Sequence, residues 1–116
     1  MNLNLATIKN IHFIGIGGIG ISAIARMMML EGKKVTGQDV QDSDIVNELR
    51  KMGAEMTIGQ SLDAIPQDSD LIVYTIAIEN YAPELFESLQ EQHIPIRSYP
   101  QMLHIVSEGK YTIAVS

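Results

Sequence analysis

Short apolar runs rich in β-branched residues alternate along the chain with longer segments of helical length and content. Ile11-His12-Phe13-Ile14 is the first such run, and it stops at Gly15. Ile21 to Leu30 predicts a helix that ends near Gly32, where glycine suits a left-handed cap. Lys34 to Gly37 restarts as a strand with Asp39 at its end. Ser43 or Asp44 then caps a helix running to about Met52, closed by Gly53. Glu55 to Ile58 reads as a short strand, and Gly59 to Ser69 as a loop around Pro66. Asp70 to Thr75 holds Leu71-Ile72-Val73-Tyr74, a continuous apolar run of the kind covered on both faces. Pro83 to about Gln92 predicts a helix with proline in its first turn, and Ile94 to Arg97 a short strand. Pro100 to Val106 predicts another helix and Tyr111 to Val115 a last strand.

Strand and helix alternate throughout, which argues for a mostly parallel sheet with helices on both faces. No internal repeat or interior boundary divides the 116 residues, so residues 1–116 form a single domain. Between the first strand and the first helix lies Gly15-Ile16-Gly17-Gly18-Ile19-Gly20. In this spacing the first glycine permits a tight turn and the second lets the backbone approach a diphosphate. The third lets the helix pack closely on the strand. The phosphates then meet unpaired N–H groups and the positive end of the helix dipole. Asp39, 19 residues after Gly20, stands where an acidic side chain accepts hydrogen bonds from a ribose. The expected fold is therefore an α/β, Rossmann-like, doubly wound sheet of about five or six strands. Glycines serving only a packed turn, and an Asp39 that is only a solvated turn residue, are the plain alternatives.

Composition narrows the partners. There are 14 acidic and 8 basic side chains, a formal net charge of −6, and no run of Lys or Arg. Nucleic acid, which selects for a basic stripe, is not an expected partner. The chain has no cysteine, so disulfides and thiolate metal sites are excluded, which fits a reducing cytoplasm. Lys9 followed by the apolar stretch Ile11 to Ala25 imitates a secretion signal, yet the stretch is too short to span a bilayer. The glycine turn explains it better, so no membrane partner is expected. His12, His93 and His104 lie in unrelated elements without the i, i+4 spacing of a metal site. His12 is expected to pack or hydrogen-bond near the sheet edge. Met27-Met28-Met29 on one helix points to several faces, with at least one as core filler. Asp39, Asp42 and Asp44 lack the ligand spacing of a calcium loop, and helix capping accounts for Asp44.

The stretch His12-Phe13-Ile14-Gly15-Ile16-Gly17-Gly18-Ile19-Gly20-Ile21-Ser22, with its extra glycine at Gly18, resembles the start of the Mur ligases of peptidoglycan synthesis. It is closest in kind to those that join L-alanine to UDP-N-acetylmuramate. The resemblance continues through Thr36-Gly37-Gln38-Asp39, Gly53-Ala54, Ile58-Gly59 and Val73-Tyr74-Thr75-Ile76-Ala77-Ile78. Pro83-Glu84, Ile94-Pro95-Ile96, Met102-Leu103 and Tyr111 to Ser116 complete it. It implies a bacterial, cytoplasmic ligase whose first domain binds the UDP part of the substrate. The implied contacts are Gly15, Gly17, Gly18, Ile19, Gly20, Asp39, Gly59 and the loop Thr75, Ile76, Ala77, Ile78. It also implies that ATP and Mg²⁺ belong to the full-length enzyme and not to this piece. There the lactoyl carboxylate is activated as an acyl phosphate, which the amine of L-alanine attacks. The family places its ATP P-loop directly after the strand matching Tyr111 to Ser116, so this chain reads as the first domain of a longer ligase, inactive alone.

The sequence departs from the family at Gln38, commonly serine, and at Gln60, commonly histidine. It departs again at Glu79-Asn80-Tyr81-Ala82-Pro83-Glu84, which usually reads Pro-Glu-Asp-Asn-Pro-Glu. Three other functions stay open. The recycling ligase that joins a tripeptide to UDP-N-acetylmuramate shares this first domain. An NAD- or FAD-binding oxidoreductase module shares the glycine turn and the acid. A non-catalytic nucleotide sensor would use the same turn for binding alone.

Overall fold

A computed structural model describes residues 3–108. Five strands form one sheet, all parallel: β1 Asn10–Ile14, β2 Lys34–Asp39, β3 Glu55–Ile58, β4 Leu71–Tyr74 and β5 Ile96–Ser98. Their order across the sheet is β3-β2-β1-β4-β5, so the chain first builds outward to one side of β1 and then crosses to the other. Five helices connect and flank the strands: α1 Ile19–Leu30, α2 Asp44–Met52, α3 Ile78–Tyr81, α4 Pro83–Gln90 and α5 Tyr99–Glu108. Short 3₁₀ turns occupy Leu5–Thr7 and Leu62–Ala64. This is the Rossmann-like α/β sheet expected. The strand expected over Tyr111 to Val115 lies outside the described residues.

Alternation of side chains along the strands divides the interior into two cores. Ile11, Phe13, Val35, Leu71 and Val73 face α1, α2 and α5, where Ile24, Met28, Leu49 and Met102 meet them. Ile14, Ile72 and Tyr74 face the other way, onto Ile78 of α3 and Leu89 of α4, with the Tyr74 and Phe86 rings 5.5 Å apart. Every residue of β4 is buried, the double coverage its unbroken apolar run called for. The strand register is pinned below the sheet by Asp70, whose Oδ2 accepts the amides of Lys9 and Asn10, each at 3.0 Å. Among the described residues no helix is long and apolar enough to cross a membrane.

Local chemistry sets the helix ends. Ser43 Oγ accepts the Val46 amide at 3.3 Å, which settles the cap on Ser43, and Gly53 closes α2 in the left-handed region at φ 114°. Other boundaries moved. α1 starts at Ile19, two residues earlier than expected, because Gly18 caps it without any side-chain bond and so leaves no polar signal. β5 begins at Ile96, after Pro95. The segment Ile78 to Tyr81, expected as loop, is a single helical turn anchored by fully buried Ile78.

His12 is not near an edge. β1 is the central strand, so His12 is fully enclosed and stands in register with Thr36 on one side and Ile72 on the other. Its Nδ1 lies 2.7 Å from Thr36 Oγ1 and its Nε2 2.8 Å from Gln38 Oε1, a polar row that satisfies both ring nitrogens inside the sheet. Burial pushes the imidazole pKa down from 6.5, opposed by the weaker effect of the Gln38 bond. The unfolded chain therefore takes up a proton near pH 6.5 before the folded chain does, and stability falls as pH drops through and below that value. Thermal melts between pH 8 and 5 should show this slope, at most about 1.4 kcal/mol per pH unit, and His12→Gln should lose it.

Candidate functional site

The glycine turn links the end of β1 to the start of α1 at the C-terminal edge of the sheet. This is beside the point where the strand order reverses between β1 and β4, the place where open parallel sheets bind ligands. Its first four amides are spent internally. Gly15 and Ile16 donate to the Gln38 carbonyl at 2.9 and 3.2 Å, and Gly18 to the Gly15 carbonyl at 3.2 Å. Gly17 donates to Asp39 Oδ2 at 2.8 Å. Ser22 N–H, one turn further on, bonds the Gly18 carbonyl at 2.9 Å. That leaves the amides of Ile19, Gly20 and Ile21, which have no acceptor among the described residues because no side chain caps this 12-residue helix.

Each glycine has a separate reason. Gly15 adopts φ 77°, and a Cβ there would run into the Thr75 side chain. A Cβ on Gly17 would stand 2.8 Å from Asp39 Oδ2, and one on Gly20 would stand 2.5 Å from the Tyr99 ring and hydroxyl. Gly20 thus accommodates a side chain from α5; close packing on β1 was the reason expected for it. Gly37 of β2 belongs to the same set, since a Cβ there would stand 2.5 Å from Cδ1 of Ile16, whose fully buried side chain plugs the turn into the core.

Asp39 joins three loops. Beyond the Gly17 bond, its Oδ1 accepts the Gln41 amide at 3.0 Å, and its backbone carbonyl accepts the Gly59 amide at 2.7 Å. From the other side of β1, Thr75 donates its amide to the Ile14 carbonyl at 3.0 Å and packs against Gly15. Gly15, Gly17, Gly18, Ile19, Gly20, Asp39, Gly59 and Thr75 therefore share one edge. Ile19 is 85% exposed there, and Ile76 and Ala77 are also open to solvent, whereas the Ile78 side chain is sealed in the second core. Tyr81 was not singled out from sequence. Its hydroxyl comes within 3.9 Å of the Cβ position of Gly15, and burial and then the Asp39 charge push its pKa up.

A cleft of about 460 Å³ opens beside Tyr81, between Gln60, Ser61, Pro83 and Leu85. A larger one, about 740 Å³, lies among Asp63, Gln67 and His93, in the loops that precede β4 and β5. It is thus at the opposite end of the strands from the turn, and the smaller cleft is the one that adjoins the site. Among the described residues no three His, Asp or Glu side chains gather as a metal site.

The family model described as "Mur ligase family, catalytic domain" matches residues 10–111. The chain belongs to the Mur ligase family. The UDP-N-acetylmuramate–L-alanine ligase of Clostridium kluyveri is 40% identical over 117 residues, covering all of this chain and 25% of that ligase. The ligase of the same name from Clostridium beijerinckii is 42% identical, covering 93% of this chain and 23% of its own length. The crystal structure of the UDP-N-acetylmuramate–alanine ligase of Thermotoga maritima superposes with a TM-score of 0.71 at 32% identity. It covers 93% of this chain and 23% of that one. A UDP-N-acetylmuramate:L-alanyl-γ-D-glutamyl-meso-diaminopimelate ligase from Neisseria meningitides gives 0.70 at 26% identity, over 90% of this chain and 32% of that one. This Mur ligase chain spans about a quarter of the length of the curated relatives it matches.

The Asp39 carboxylate is expected to hold the turn in shape. Asp39→Ala should cost about 2 kcal/mol in urea unfolding, in line with lost hydrogen bonds to a charged acceptor, and Asp39→Asn, which keeps one acceptor oxygen, less. No loss in Asp39→Ala would show that neither bond supports the fold.

Proposed function

We propose that this chain is the substrate-holding domain of a longer Mur ligase, and that it grips the diphosphate of UDP-N-acetylmuramate at the start of α1. The observation that carries the reading is the set of three uncapped amides, Ile19 to Ile21, offered at the reversal point of the sheet in a member of this family. An anion there completes hydrogen bonds that the fold leaves open and lies at the favourable end of the helix dipole. Asp39 keeps lone pairs beyond its two amide bonds, enough to accept from a ribose hydroxyl. Gly59 and the Thr75, Ile76 and Ala77 segment flank the same edge and would border the uridine and sugar. Ile78 would contribute only by anchoring that segment.

In this proposal the parent enzyme joins L-alanine to UDP-N-acetylmuramate in the bacterial cytoplasm with ATP and Mg²⁺, for cell-wall synthesis. Gripping the remote UDP handle helps position the reacting carboxylate, which is how binding energy far from the chemistry raises a rate. The chain spans about a quarter of the ligases it matches, and the ATP- and Mg²⁺-dependent step is assigned to the remainder of the ligase. The L-alanine enzyme is preferred to the tripeptide-recycling one because the ligases named for L-alanine are 40% and 42% identical. Family membership likewise favours a ligase over an NAD- or FAD-dependent oxidoreductase.

Amide-resolved NMR titration of the 116-residue chain with UDP-N-acetylmuramate, UDP, NAD and FAD tests the reading. Saturable shifts at Ile19, Gly20 and Ile21 with both UDP ligands, and none with NAD or FAD, are expected. A response to NAD or FAD alone, or to no ligand, would overturn it for this chain.

A further inference from the structure

Tyr99 is placed with unusual firmness for a residue at a helix start. The Ser98 amide donates to Gln101 Oε1 at 2.8 Å while the Gln101 amide donates to Ser98 Oγ at 3.3 Å, a reciprocal capping box that fixes the entry to α5. Pro100 follows and restricts the backbone further. The Tyr99 ring packs, half-buried, against the first core. It reaches across to α1, where its Cζ and Oη lie 2.5 Å from the position a Gly20 Cβ would take. Cα–Cβ bonds in a helix tilt toward the N-terminus, so that position lies on the side of the opening turn. The Tyr99 hydroxyl therefore sits beside the three uncapped amides of Ile19, Gly20 and Ile21. Among the described residues it makes no hydrogen bond. Nor is it fully sealed in the interior, since among the described residues the one buried side-chain polar atom lacking a partner is Gln38 Nε2. A firmly held O–H on a half-buried ring, without an internal partner and next to unpaired amide donors, has the arrangement of a preorganised anion contact.

We propose that Tyr99 is a substrate-binding residue whose hydroxyl donates a hydrogen bond to a phosphoryl oxygen of the nucleoside diphosphate held at the first turn of α1. The inference rests on the function proposed above and adds a side chain to what is otherwise a cradle of backbone amides. The competing role is steric: the ring fills the notch left by Gly20, and the hydroxyl is incidental. Phenylalanine fills that notch equally well, so Tyr99→Phe separates the two. Calorimetric titration of wild-type chain and Tyr99→Phe with UDP should show affinity weakened about tenfold or more in the variant, as for loss of one bond to a charged acceptor. The melting temperature should be unchanged. Equal affinity for UDP in the two proteins overturns the proposal and leaves the diphosphate site standing. Affinity and melting temperature falling together would also overturn it, marking Tyr99 as a packing residue. If the wild-type chain itself does not bind UDP, the function proposed above fails and the Tyr99 role with it.

Discussion

Two acceptors at the end of β2 hold the glycine turn. The Gln38 carbonyl takes the amides of Gly15 and Ile16, and the Asp39 carboxylate takes that of Gly17. Both acceptors are in place because β1 and β2 run in register, with Ile14 opposite Gln38. A slip of one residue would bring the wrong faces together and would move a carboxylate to where a carbonyl is needed. The ladder of the sheet thus dictates the shape of the loop above it. By drawing the first three amides inward, it also helps decide which donors remain outward. The fold's own hydrogen bonds shape the loop, and the ligand proposed for it would find its donors already aimed.

The two cores divide the labour beneath that edge. On the α1, α2 and α5 side, aliphatic residues and Met28 form a dry layer, and Ile16 is driven into it through the gap that Gly37 leaves. On the opposite side, the row Thr36, His12 and Gln38 crosses the sheet from β2 to β1 and back just below the turn. Gln38 serves both layers of this design, with its carbonyl bonded to the turn and its side chain bonded to His12. The row pairs both ring nitrogens of His12 but leaves Gln38 Nε2 buried without a partner, so its satisfaction is incomplete.

Features that depend on neighbours in sequence were legible before the structure. The glycine spacing, the acid at the end of β2, a cap at Ser43 or Asp44, the Gly53 stop and the bounds of β3 all follow from local chemistry. What escaped depends on neighbours in space. The strand pattern names the strands without ordering them, so nothing local placed His12 at the centre of the sheet. Gly20 and Gly37 read as members of motifs, yet their reasons, Tyr99 and Ile16, come from other elements. The α3 turn carries few helix signals of its own and exists because Ile78 finds a fully buried seat. The start of α5 was the opposite case: Ser98-x-x-Gln101 is a readable capping box, and it would have pointed to Tyr99.

Gly20 with Tyr99 and Gly37 with Ile16 are pairs in which one member is empty space shaped for the other. Neither half of such a pair has a fixed tolerance. A methyl group at position 20 is forbidden only while a large ring occupies position 99, and a smaller residue at 99 would make it acceptable. Sequence drift around this turn is therefore epistatic. Lineages can exchange which partner supplies the bulk, and Gly20 can be lost without loss of the turn, provided Tyr99 shrinks first. Gly15, at φ 77°, has no such freedom.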